Sequence, residues 1–146
     1  ISGMAAAIKH LSPTTTVIGV EPEGADSLGR SFRSGRAEAL DRVATIADSL
    51  GAPMAMPESL ALARQNVDEL ITIPDQLMAE TMLLMRHTLN LIAEPACTAS
   101  LAAALGPLRD RVAGRHVGVL ACGSNISVER YAAYTQTAQL PLPPRT

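Results

Sequence analysis

The sequence predicts an α/β fold in which a parallel sheet is flanked by helices. Short β-branched or apolar runs alternate with longer segments whose apolar residues recur at helical spacing, and strands separated by helices pair in parallel with helices on the sheet faces. The 146 residues fit one domain, and an apolar fraction of 47% is enough for a packed core. Three short strands make a thin sheet for this length. We therefore expect further strands from an upstream segment or a partner.

The helices are predicted from apolar periodicity and from the residues that end them. Ser12-Pro13 ends the first helix, and Gly35 is the C′ residue of the second. Prolines block long helices in the irregular segment 36–58, where 40–48 is expected to be extended. In chain order the predicted helices cover residues 2–11, 25–34, 59–66, 75–90 (apolar on nearly all sides and so buried), 96–105 and 126–134, with a helical turn at 108–112 and a frayed tail at 135–146.

Strands are predicted over residues 17–20, 69–73 and 117–121. The last of these runs directly into Cys122-Gly123-Ser124-Asn125. A buried parallel strand that delivers polar side chains at its carboxyl end is typical of a ligand site in an α/β sheet. Gly123 would let a ligand approach the backbone, and Asn125 would cap the last helix. The alternative is a tight strand–helix turn that contains a core cysteine.

Composition excludes several classes of function. A net charge of −2 and 2% aromatic residues give no basis for nucleic-acid binding. The most apolar stretch, 77–105, is interrupted by charged and polar residues and is too polar to span a bilayer. Two cysteines, Cys97 and Cys122, form no disulfide framework, so we expect a reducing, cytoplasmic compartment. The chain begins inside a predicted helix at Ile1, as if it continued an upstream segment, and it contains a single lysine, Lys9.

Six segments, taken in order, resemble the carboxyl-terminal half of the threonine/serine dehydratase and serine racemase family. These enzymes use pyridoxal 5′-phosphate (PLP) on the second PLP fold type. The match extends from residue 1 to about residue 130. The segments are Ile1-Ser2-Gly3, Val17-Ile18-Gly19-Val20-Glu21-Pro22, Ser31-Phe32-Arg33-Ser34-Gly35, Thr45-Ile46-Ala47-Asp48, Glu94-Pro95-Ala96 and Ala121-Cys122-Gly123-Ser124-Asn125.

The resemblance implies that residues 1–134 are part of the large domain of a fold-type II PLP enzyme. The Schiff-base lysine and the glycine-rich phosphate loop would lie upstream, and Lys9 is expected to be a solvated helix lysine, so the chain alone should be inactive. The implied reaction converts L-threonine or L-serine into a 2-oxo acid and ammonia. The resemblance also implies that the missing amino-terminal half completes the enzyme and that the enzyme is a homodimer. The alternatives are a serine racemase, a 3-hydroxyaspartate dehydratase, or a non-catalytic binding or assembly module.

The resemblance also implies a set of cofactor residues. Cys122 stands where the family has a serine that hydrogen-bonds the PLP ring nitrogen, and Gly123, Ser124 and Asn125 line the same turn. Glu94 is placed near the cofactor; its alternative is a carboxylate that favours a helix N-terminus. Asp48 belongs to a loop that flanks the active site.

A divalent cation, Mg²⁺ or Ca²⁺, is a further implied ligand. The resemblance assigns it the Glu21 carboxylate and the backbone carbonyl of Ala25, and hard cations prefer such oxygens. Ser27 occupies the position of the second acid, which is where this chain departs from the family.

Overall fold

The computed structural model describes residues 1–140 and contains a parallel two-stranded sheet with flanking helices. The strands are β1 (Ile18–Pro22) and β2 (Glu69–Ile73). The helices are α1 (Ser2–Leu11), α2 (Ser27–Ser34), α3 (Pro57–Asn66), α4 (Asp75–Leu89), α5 (Pro95–Leu105), α6 (Arg109–Val112) and α7 (Val128–Thr135). Short 3₁₀ turns lie at Glu23–Ala25 and Asp48–Leu50. The predicted α/β class is confirmed. Of the predicted tail, residues 141–146 lie outside the described residues.

The chain forms two compact units. The first comprises residues 1–45 and 50–72, and the second comprises 46–49 and the residues from 73 onward. Within residues 1–140 no helix is long and apolar enough to cross a membrane.

The first unit has a small aliphatic core between α1, α3 and the sheet. Ala5, Val17, Ala63 and Val67 are buried together. Small residues on the facing sides of α1 and α3 let the two helices pack closely. Gly35 has a φ of +80° and ends α2 in the left-handed conformation that glycine adopts without strain, as predicted.

Lys9 is tied into this unit. Its Nζ donates to the carbonyl of Thr15 (2.8 Å) and to Oδ1 of Asp68 (2.9 Å). The other Asp68 oxygen accepts the Val17 N–H at 2.7 Å. The lysine side chain is only 21% exposed. The one lysine therefore joins α1 to the residues that precede both strands, where a freely solvated side chain was expected.

Stability should depend on pH through Asp68. Hydrogen bonds from Lys9 and from the Val17 N–H hold the pKa of this carboxyl below its ordinary value. Its stabilising contribution is thus complete above the unfolded-state pKa, about 4, and is lost as the pH falls through the folded-state pKa. We expect Asp68→Asn to lower the Tm at pH 7, and the gap to wild type to close as the pH falls below about 4.

Thermal melts of both proteins from neutral to strongly acidic pH measure this gap. Asp41→Asn is the matched control, because it removes an exposed carboxylate outside the network. A gap that stays constant across the range would contradict the role of Asp68.

The second unit is built around α4. Met78, Met82 and Met85 are fully buried or nearly so, and α5 and α7 pack on the helix that carries them. The prediction that α4 is buried on nearly all sides is too broad, because the last turn, residues 86–89, is exposed. The helix ends at Leu89, and the next residue, Asn90, has a φ of +54° and accepts a hydrogen bond at Oδ1 from Arg86 Nη1 at 2.8 Å.

Several predicted boundaries are wrong: α2 begins at Ser27 and not at residue 25, and β1 is Ile18–Pro22 and not 17–20. Residues 117–121 form no strand, and the backbone there pairs with no strand within the described part of the chain. Helix α7 begins at Val128 with Ser127 as its N-cap, whose Oγ accepts the Arg130 N–H (3.2 Å), so Asn125 does not cap it. Helix α3 begins two residues early because Pro57 occupies its first turn, where proline is tolerated.

Candidate functional site

Glu94 stands at the N-cap of α5, with Pro95 as the first helical residue. Its side chain makes no capping hydrogen bond to the helix. The carboxylate instead accepts a hydrogen bond from Ser49 Oγ, with 3.1 Å between Ser49 Oγ and Glu94 Oε1. Glu94 is therefore turned toward the 46–49 loop and is half-buried beside it.

Gly123 lies directly against Glu94. The Glu94 N–H donates to the Gly123 carbonyl at 3.1 Å. A Cβ atom at position 123 would collide with the carboxyl group of Glu94. The close approach at Gly123 is made by a side chain of the same unit, and a residue with a Cβ atom here would require the Glu94 carboxyl group to move.

Ser100 of α5 holds the chain that leads into this turn. Its hydroxyl accepts the Leu120 N–H and donates to the Leu120 carbonyl, both at 3.0 Å. One side chain thus satisfies both backbone groups of a residue that was predicted to lie in a strand. The predicted strand is exposed, with Val117, Val119 and Leu120 between 41% and 50% accessible.

Cys122 is exposed at the surface of the second unit. Its thiol makes no hydrogen bond to any residue in the described range 1–140. The core-cysteine alternative is therefore wrong for this structure. Ser124 and Asn125 are exposed as well, and the Ser124 carbonyl accepts the Ile126 N–H at 2.9 Å, which closes the turn.

A small pocket lies between Glu94, Ser49, Asn125, Arg130 and Tyr134. Its volume is about 20 Å³, room for roughly one water molecule. The second unit therefore brings Glu94 and Asn125 together but does not by itself enclose a cofactor.

Arg130 of α7 lines this pocket, and sequence reasoning did not identify it. Its Nη2 donates to Asp48 Oδ2 and to Tyr134 Oη, both at 2.6 Å. The guanidinium carbon lies 5.4 Å from the centre of the Tyr134 ring. Arg130 thereby links α7 to Asp48, next to the serine that binds Glu94. The spacing of Arg130 and Tyr134, one helical turn apart, is the signal that could have identified them.

The predicted cation residues lie where β1 ends and α2 begins: Glu21 is in β1, Ala25 in the connection, and Ser27 is the first residue of α2. Glu21 is half-buried, and Ala25 and Ser27 are buried. Glu21 Oε1 accepts the Leu28 N–H at 2.9 Å, and Oε2 accepts the Gly29 N–H at 2.7 Å. Burial raises the pKa of Glu21, and these two hydrogen bonds oppose the shift. Among residues 1–140 no three His, Cys, Asp or Glu side chains are grouped so that they could hold a metal ion.

Comparison with known proteins assigns this chain to one family. Residues 1–123 match the family model described as "Pyridoxal-phosphate dependent enzyme". The chain is 42% identical over 134 residues to the phenylserine dehydratase of Ralstonia pickettii, covering 92% of this chain and 41% of that protein. It is 33% identical over 133 residues to an L-threo-3-hydroxyaspartate ammonia-lyase of Pseudomonas sp, covering 91% and 41% respectively.

A solved structure, the threonine deaminase of T.th., superimposes with a TM-score of 0.79 at 31% identity. The superposition covers 86% of this chain and 42% of that chain. The chain thus spans about 41% of the length of the curated relatives that it matches.

Proposed function

The chain belongs to the family of pyridoxal-phosphate dependent enzymes, and from this premise we propose that it is the carboxyl-terminal part of an L-threonine or L-serine dehydratase. The complete enzyme would convert the β-hydroxy amino acid into a 2-oxo acid and ammonia. Relatives named as dehydratase and ammonia-lyase support this reaction class. The observation that carries the proposal is the exposed thiol of Cys122, on a turn held against Glu94.

Cys122 has the chemistry to hold the ring nitrogen of PLP. When bound, PLP supplies an electron sink for the carbanion formed at the substrate α-carbon. The Cys122 thiol makes no hydrogen bond among residues 1–140, and a thiol S–H is a weak, uncharged donor, which suits a hydrogen bond to the ring nitrogen. A neutral partner leaves that nitrogen largely unprotonated and moderates the electron sink, and this favours β-elimination over transamination.

The described residues do not supply the lysine amine that PLP needs. PLP enzymes require a lysine amine. The Lys9 ammonium is already hydrogen-bonded to Asp68 and to the Thr15 carbonyl. We therefore propose that the lysine and the phosphate loop come from an amino-terminal part and that this chain alone does not turn over substrate. We also propose, on the family resemblance, that the complete enzyme is a homodimer.

A chimera tests the proposal. Residues 1–134 replace the matching segment of the phenylserine dehydratase, and 2-oxo acid and ammonia are measured with L-threonine, L-serine, L-threo-3-hydroxyaspartate and phenylserine. We expect the chimera to release a 2-oxo acid from L-threonine or L-serine. The isolated chain with added PLP should release none.

The other outcomes separate the alternatives. Relative to the unmodified phenylserine dehydratase assayed in parallel, a gain of turnover of L-threo-3-hydroxyaspartate alone would favour the 3-hydroxyaspartate dehydratases, and a gain of serine inversion without 2-oxo acid would favour the racemases. A chimera that folds and binds PLP but is inactive on all four substrates would favour the non-catalytic module. Sedimentation of the active chimera gives the subunit number.

A further inference from the structure

The Glu21 carboxylate reaches from the end of β1 to the first turn of α2. The first N–H groups of a helix have no partner within the helix, and Glu21 accepts two of them, from Leu28 (2.9 Å) and Gly29 (2.7 Å). Each carboxylate oxygen takes one. This capping comes from a residue on the neighbouring strand.

The residue at the N-cap itself does not perform this task. Asp26 makes no capping hydrogen bond to α2. Its carboxylate binds Arg30 Nε (2.8 Å) and Arg33 Nη2 (3.2 Å) instead. The N–H groups of Leu28 and Gly29 are thus left to Glu21.

Gly29 gives the carboxylate room. An ideal Cβ at this position would lie 3.0 Å from Glu21 Oε2, closer than ordinary van der Waals contact. The missing side chain allows Glu21 to lie directly over the helix backbone.

This donor set does not fit a divalent cation. Mg²⁺ and Ca²⁺ bind six or more oxygen ligands, and a protein site supplies at least one carboxylate oxygen that is free to face the ion. Here the Glu21 oxygens accept backbone N–H groups, Asp26 is held by two arginines, and position 27 carries a serine. The positive end of the α2 dipole also opposes a cation at this place and favours an anion.

We infer that the Glu21 carboxylate itself fixes α2 to β1, at the position where the family resemblance implies a cation, and that this connection is independent of Mg²⁺ and Ca²⁺. The inference stands on the first unit alone and does not depend on the proposed dehydratase reaction. A glutamine at position 21 would turn an amide N–H₂ toward one of the helix N–H groups and leave that group unpaired.

Thermal melts of the full chain in EDTA, in millimolar Mg²⁺ and in millimolar Ca²⁺ test the inference. We expect the same Tm for wild type in all three buffers. Glu21→Gln should lower the Tm by about 3–8 °C, equally in each buffer. Glu23→Gln is the matched control, since it removes the same charge from an exposed side chain two residues away and should change the Tm little.

Amide hydrogen exchange in wild type provides a second measurement that does not depend on a variant folding. The Leu28 and Gly29 amides should be protected to the same degree with EDTA and with Mg²⁺. A wild-type Tm that rises with Mg²⁺ or Ca²⁺ by mass action, with the rise lost in Glu21→Gln, would overturn the inference. So would exchange at these two amides that changes when the cation is added.

Discussion

Cys122→Ala should lower the dehydratase kcat/KM of the chimera by about tenfold, the loss expected for one hydrogen bond made to the cofactor ring. Its effect on the Tm should be small, because Cys122 is exposed and makes no hydrogen bond within the described part of the chain. Steady-state kinetics and a thermal melt on the same preparation measure the two effects separately.

Two further substitutions at this position sharpen the test. Cys122→Ser should keep most of the activity, because a hydroxyl is a better donor than a thiol. Cys122→Asp should stabilise a protonated ring nitrogen and divert substrate from elimination to other PLP reactions. Cys97→Ala is the matched control: Cys97 is buried against Met85 and Ala93, so this change should lower the Tm and leave kcat/KM per folded enzyme unchanged. Equal kcat/KM in wild type and Cys122→Ala would remove the cofactor role of this thiol.

Gly24→Ala should cost about 3 kcal/mol in the free energy of unfolding, the upper range for overpacking a close contact. The Ala44 N–H donates to the Gly24 carbonyl at 2.9 Å, which holds the two backbones together. An added Cβ at Gly24 would fall on the Ala44 carbonyl group. Backbone cannot rotate away as a flexible side chain would, so the loop around Ala44 would have to move.

Urea unfolding of Gly24→Ala and Gly3→Ala measures this cost against a matched control. Gly3 lies in α1 with no atom within 4 Å of an added Cβ, so Gly3→Ala should raise stability by roughly 0.5–1 kcal/mol through helix propensity. If the two substitutions had equal effects, the close approach at Gly24 would be disproved.

The elements that sequence reasoning predicted well depend on local signals. The β2 boundaries, 69–73, and those of α1, 2–11, match the structure residue for residue. Proline, glycine and the spacing of apolar residues determine such boundaries, and all three are visible in a short window of sequence. The left-handed Gly35 was predicted for the same reason.

The features that were missed depend on partners distant in the chain. An apolar run such as 117–121 becomes a strand only when another strand accepts its backbone groups, and here Ser100 takes both groups of Leu120. Similarly, nothing near Arg130 in the sequence indicates that it binds Asp48, 82 residues earlier. Glu21 was predicted to be a site residue from the sequence. Its hydrogen bonds to the first turn of α2 could not be predicted, because they depend on how β1 and α2 lie in the fold.

Asn90 restricts how the chain can be redesigned. Its positive φ suits only glycine and, at some cost, asparagine or aspartate, and its Oδ1 also accepts a hydrogen bond from Arg86. Glycine would remove the backbone strain but also the side-chain contact, so asparagine is the residue that meets both demands. A mutant library that aims at better solubility should keep position 90 constant. For this chain on its own, diversity is better placed at Leu89, Leu91 and Ile92, where apolar side chains are 48–56% exposed and polar replacements remove little packing within the chain.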